Sequence, residues 1–189
     1  MKKRSHIILA CIVLLSGCST LSEKECRTAD WHQLGVRDGR QGQPARLLND
    51  HKESCTKYGI NPNEGQYLAG REAGLEQYCR LDNAFRTGMN GEEYRGVCPA
   101  EVDMAFRRNN AAALAVYNSK KKLQDIDRQL SMKEHELSEK ETSDKEKRRL
   151  RDEIRDLDRG RERARSDLYY QERTLDRLMD EARYRDESR

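Results

Sequence analysis

Five side chains in the first half of this 189-residue chain have the types and positions to do chemistry: Asp30, His32, Asp38, His51 and Arg71. Asp30 beside His32 resembles part of an acid–base pair, and His51, four residues before Cys55, has the spacing of a Cys–His pair on one helix face. His32, His51 and Asp38 together would offer nitrogen and oxygen donors to a metal. Each also has a plainer explanation. Residues two apart on a helix point to different faces, and Asp30 stands where a helix cap belongs. A bridged Cys55 is no nucleophile, and His51 then becomes a packed or capping residue next to it. No cysteine pair has the separation of a zinc site, and no serine lies in a nucleophile-elbow context. The expectation is that these five residues have structural or binding roles, with no catalytic residue, metal or cofactor.

A different chemistry lies at the start of the chain. Lys2, Lys3 and Arg4 precede a short apolar run from Ile7 to Leu15, closed by small residues. This is the pattern of a secretory signal, residues 1–17, too short to span a bilayer. Its ending, Leu15-Ser16-Gly17-Cys18, resembles the lipobox of bacterial lipoproteins, whose cysteine is lipidated and becomes the new N-terminus. The resemblance implies a lipid on Cys18, a membrane as partner and, with Ser19 next, an outer-membrane address facing the periplasm. Removing residues 1–17 takes away three basic side chains, and the formal charge of +3 falls to zero. A neutral chain gives no electrostatic case for nucleic acid. An oxidising compartment makes two disulfides the expectation for Cys26, Cys55, Cys79 and Cys98.

The elements that position these residues divide unevenly. With 38% charged and 6% aromatic residues, the chain is too polar for one large core. Residues 18–98 hold ten of the twelve glycines; residues 99–189 hold only Gly160, with 23 Lys/Arg against 22 Asp/Glu. The composition predicts an all-α protein with a small disulfide-stapled head, residues 18–98, and a charged coiled-coil tail, residues 99–189. A head this small buries too little surface to do without staples.

Ser19 to Glu25 reads as a polar tether. Residues 30–40 read as a helix with Trp31, Leu34 and Gly35 inward, and residues 45–58 as a second, with Leu47, Leu48, His51 and Cys55 on one face. If those two are antiparallel, Cys26 meets Cys55, leaving Cys79 for Cys98. Asn61-Pro62-Asn63-Glu64 reads as a cap, a first and a third position, opening a helix to about Cys79. Residues 83–87 read as one or two turns stopped by Gly88, followed by loop to Cys98. Tyr67-x2-Gly70-x3-Gly74-x3-Tyr78 has echoes in Phe106-x2-Asn109-x3-Ala113-x3-Tyr117, and in part in Trp31-x3-Gly35-x3-Gly39 and Phe85-x2-Gly88. Each glycine inside a helix costs about 1 kcal/mol relative to Ala, for which close backbone packing is the natural compensation.

Cys26, Asp30-Trp31, Gly35-x2-Asp38-Gly39-x2-Gly42, His51-x3-Cys55, Tyr67-Leu68-Ala69-Gly70-Arg71-x2-Gly74-Leu75-x2-Tyr78-Cys79 and Phe85-x2-Gly88-x2-Gly91-x2-Tyr94-x-Gly96-x-Cys98 resemble domain-of-unknown-function family 2799. That resemblance covers about residues 21–117. It implies a small proteobacterial envelope protein, often a lipoprotein, and no assigned reaction. Asn109 and Ala113 stand where similar proteins often have glycine.

In the tail, Pro99 opens a helix in which Leu123, Ile126, Leu130 and Leu137 form one apolar seam. Leu150, Ile154, Leu157, Ala164, Leu168, Leu175, Leu178 and Ala182 form another, out of phase with the first by three. The slip, with Ser143-x2-Glu146 as a new start signal, favours an antiparallel hairpin over one continuous helix. The basic cluster Lys145 to Arg151 is interleaved with acids, which makes it a solvated face. The expected function is that of a lipid-anchored cell-envelope protein of structural or interaction type. Its partners would be an envelope protein, the cell wall or a second copy through the coiled coil. The alternatives are a small-ligand-binding or hydrolase-inhibitor head, and an enzyme using Asp30, His32 or His51.

Overall fold

The protein is described by a computed structural model covering residues 20–139 and 143–187, with side chains to Tyr184, so the signal segment and Cys18 lie outside the described residues. The described residues form helices and no strand: α1 Glu23–Thr28, α2 Trp31–Arg40, α3 Leu47–Thr56, α4 Glu64–Tyr78, α5 Leu81–Met89, α6 Ala100–Ser138 and α7 Asp144–Glu187. The all-α expectation holds.

The tether does not. Leu21 is only 4% exposed and joins Cys26, Trp31, Leu34, Leu48 and Tyr67 in a core cluster. Ser22 then caps α1, its Oγ accepting from the Glu25 amide at 3.4 Å while the Glu25 carboxylate accepts from the Ser22 amide at 2.8 Å. A polar composition concealed a capping box, which starts a helix rather than a linker. α1 supplies Cys26 to the bridge with Cys55 of α3, and Cys79, after α4, is bridged to Cys98. Both pairings are the expected ones. The Cys26–Cys55 bridge closes a separation of 29 residues. Replacing both cysteines with alanine is expected to lower stability by about 3.5 kcal/mol, read from urea denaturation.

Helix boundaries also differ from expectation: α3 runs over Leu47–Thr56 rather than residues 45–58, and α5 starts at Leu81 rather than at residue 83. α4 is capped by Asn63, whose side chain accepts from the Gln66 amide at 3.1 Å, so Pro62 lies outside the helix and Glu64 begins it. Gly88 lies inside α5 rather than stopping it. A Cβ there would meet the Asn110 carbonyl oxygen of α6, so glycine is required by the crossing; the chain turns only after Asn90.

The glycine echoes turn out to mark a duplication. α2 packs parallel to α4, and α5 parallel to α6. At the first crossing, Cβ atoms on Gly35 and Gly39 would strike the Tyr67 and Arg71 carbonyls, and Cβ atoms on Gly70 and Gly74 would strike those of His32 and Val36. Gly39 and Gly88 lead into the same corner. The Gly42 amide donates to the Gly39 carbonyl at 3.0 Å and Gln43 to Asp38 at 2.9 Å; Gly91 donates to Gly88 at 2.9 Å and Glu92 to Thr87 at 3.0 Å. Gly42 and Gly91 have φ of 61° and 82°, a left-handed backbone that glycine alone adopts at no steric cost. A side chain at either would strike a tyrosine ring, Tyr78 or Tyr117, at the matching place on the second helix. Even the tie across each corner matches: Arg71 donates to the Gln43 carbonyl at 2.8 and 3.1 Å, and Asn110 Nδ2 to the Glu92 carbonyl at 3.0 Å. The first copy carries α3 as an insertion and the second does not.

α6 therefore belongs to both parts of the molecule. Phe106, Asn110, Ala113 and Val116 pack in the second unit, and the rest of the helix pairs antiparallel with α7. Ion pairs mark the register: Arg108–Glu181 at 3.4 Å, Lys120–Glu172 at 3.0 Å and Lys133–Glu153 at 2.9 Å. Both expected seams face inward, and the phase slip is the turn itself; Ser143 Oγ accepts from the Glu146 amide at 3.3 Å as α7 begins. The far end of α7 returns to the head, where Leu175 and Leu178 meet Phe85 and Val116. Leu150, wholly buried near the turn, anchors the distal end. Leu150→Ala is expected to cost about 3 kcal/mol and to raise amide exchange over the hairpin end while the head stays protected.

Candidate functional site

The polar centre of the head is built on Asp38, which the last turn of α2 turns inward beside Gly39. Asp38 is 2% and His51 3% exposed, and His51 Nε2 lies 2.9 Å from Asp38 Oδ2. Tyr67 of α4 donates its hydroxyl to the same oxygen at 2.9 Å, and Arg37 Nε reaches Oδ1 at 3.4 Å. On its other side, His51 Nδ1 lies 2.8 Å from Thr20 Oγ1. The Thr20 hydroxyl lies 3.1 Å from Ser54 Oγ, and the Thr20 amide donates to that oxygen at 3.1 Å. Four separate stretches of chain meet in one line: Tyr67, Asp38, His51, Thr20 and Ser54.

Burial by itself would push the Asp38 carboxyl up, but the hydrogen bonds from His51 and Tyr67, aided by the charges of His51 and Arg37, outweigh it and hold it below the usual range. Burial first, then the Asp38 charge, pushes the Tyr67 phenol far above its usual value. Asp38 is thus an ionised acceptor of the Tyr67 hydroxyl and of His51 Nε2–H, while Nδ1 of the same ring pairs with Thr20 Oγ1.

Carboxylate, imidazole and hydroxyl in series have the order of an acyl-transfer triad. The surroundings differ from one. Thr20 Oγ1 is shared with Ser54, and the relay lines neither cleft described below. What the relay does is hold the first described residues, with Leu21, against α3.

The other three candidates are dispersed. Asp30 caps α2, accepting from the Gln33 amide at 3.0 Å, and His32 is exposed on its first turn. Arg71 ties down the Gly42 corner. Of the five, Asp38 and His51 come together. Sequence reasoning missed Thr20, Ser54 and Tyr67. Their one available signal was the inward face of α3, on which Ser54 neighbours His51 and Cys55. Among the described residues, no group of three or more His, Cys, Asp or Glu side chains is placed to hold a metal, and no helix is long and apolar enough to cross a membrane.

Two clefts flank the second unit. One, of about 630 Å³, lies where the end of α7 meets the α4–α5 junction, lined in part by Cys79, Leu81, Phe85, Val102 and Met179. The other, of about 860 Å³ and more polar, lies between the Gly42 and Gly91 corners.

Fold and site together define a class: a disulfide-stapled pair of glycine-crossed helix units carrying a long helical hairpin. Residues 30–114 match the family model described as protein of unknown function, DUF2799. The match starts at the cap of α2 and ends within α6, spanning both copies of the unit. No curated protein and no solved structure matches the chain.

Proposed function

We propose that this is a lipid-anchored cell-envelope protein that works through contacts made by its hairpin. The lipobox-like Leu15-Ser16-Gly17-Cys18 supports the anchor. The observation that carries the interaction role is the hairpin itself. α6 has 39 residues, a length of about 58 Å, and more than half of it lies beyond the Gly91 corner where Tyr117 packs. Its apolar seams are taken up within the chain, so contact falls to the outer faces, which carry charges and the exposed rings of Tyr169 and Tyr170. The partner on this reading is an envelope protein, the cell wall or another copy.

The test uses membranes from cells carrying the full chain, or a chain with residues 124–165 replaced by a short Gly-Ser turn. That excision spares Leu175 and Leu178, which the head needs. Crosslinked partners are expected to disappear with the shortened hairpin and to survive His32→Ala. The opposite pattern would move the function to the head. For the anchor, mass spectrometry of the mature N-terminal peptide should find acyl chains on Cys18, and an unmodified Cys18 would refute it.

A further inference from the structure

The cleft between the two corners has a chemistry that packing does not explain. Tyr78 is 5% exposed, its ring fills the space beside Gly42 and stacks on Phe106, yet its hydroxyl has no hydrogen-bond partner among the described residues. The ring is buried by packing, and the hydroxyl is left at the surface of the cleft, where a ligand can meet it. Around it the cleft presents both signs of charge. Among the described residues, Arg40, Glu92 and Glu93 make no ion pair, and Arg86 is held by Asn83 Oδ1 through Nε and Nη2. Arg95 bridges the corners by donating to Gln43 Oε1. The walls are rigid, because each corner is a glycine turn locked against a tyrosine and tied to the second helix of its unit.

We propose that this cleft binds a small zwitterion of the amino-acid type, its carboxylate on Arg40 and Arg86, its ammonium on Glu92 and Glu93, and the Tyr78 hydroxyl completing the contact. A purely anionic ligand would leave two carboxylates facing it, and a purely cationic one three guanidinium groups. The Tyr78 hydroxyl lies within the field of both signs: burial first, then Glu92, pushes its phenol up, while Arg95 pulls it down. The volume suits a ligand of one to a few residues. Free amino acids and the ends of short peptides share this chemistry. The inference concerns the head alone and does not depend on the anchor or the hairpin.

The experiment is calorimetric titration of the full-length chain without its signal segment, using alanine, trialanine, N-acetyl-trialanine and trialanine amide. Saturable binding of alanine or trialanine is expected, with each cap on the preferred ligand, or N-acetylalanine and alaninamide if that is alanine, weakening it about tenfold. Tighter binding of trialanine assigns the site to peptide ends; equal or tighter binding of alanine assigns it to free amino acids. Tyr78→Phe keeps the ring packing and should weaken binding about fivefold, and the exposed Arg40→Gln about tenfold. Absence of saturation with both uncapped probes, equal affinity for capped forms, or full affinity in both variants overturns the proposal.

Discussion

Gly74→Leu is expected to unfold the head. A Cβ at this position collides with the Val36 carbonyl oxygen and lies 2.8 Å from the Arg40 amide and 2.9 Å from the Gly39 Cα. All three are backbone atoms of α2, so no rotamer change relieves the clash, and α2 and α4 must separate. Separation exposes Tyr67 and Trp31 and breaks the Arg71 tie to Gln43. Overpacking against yielding side chains costs about 1–3 kcal/mol, and against a helix backbone the cost should reach about 4 kcal/mol or more. The check is thermal unfolding followed by circular dichroism, which should lose the head transition and keep helical signal from the hairpin. Gly160 is the control. Nothing lies within 4 Å of the place its Cβ would occupy in α7, so Gly160→Ala should stabilise the chain by about 0.5–1 kcal/mol.

The second large effect is at Asp38. Its folded carboxyl titrates below its unfolded value near 3.9, so its stabilisation is complete above about pH 4 and is lost as the pH falls through the folded value. Asp38→Asn keeps the shape but replaces a charged acceptor of two buried hydrogen bonds, and should cost about 3 kcal/mol at pH 7. The gap between the native chain and the variant should narrow on acidification. Asp103, held low chiefly by the Tyr94 hydroxyl, contributes with the same sign in both proteins, so the difference isolates Asp38. Urea denaturation at pH 7 and pH 3 measures it. A gap unchanged between the two pH values would mean that Asp38 is not an ionised acceptor in the fold.

These two sites also show what could be read in advance. Tyr67, Gly70, Gly74 and Tyr78 lie within one helix, and so do Phe106, Asn109, Ala113 and Tyr117, so their echo is visible along the chain. That the echo means two stacked copies was hidden, because α3 lengthens one copy and because Ala113 stands in the second copy where glycine stands in the first. The hairpin was legible for a related reason: its seams are periodic, and a phase slip is a local event. The relay was not legible. His51 lies 13 residues from Asp38 and 31 from Thr20, and no periodicity connects side chains brought together by the crossing of different helices. The adjacency of Asp30 and His32 drew attention, yet a helix turns them apart, one to cap the backbone and the other to solvent.

The clamp on Thr20 bears on how far the head can stray. Two peptide units separate Cys18 from Thr20, a reach of about 7 Å at full extension. If Cys18 carries lipid as proposed, the chain has a foot instead of a leash. The head would then stay against the bilayer instead of ranging away from it, and the hairpin, joined to it through α6, would stay with it. How far this molecule strays from its membrane end would then be decided by a threonine, a histidine and a serine.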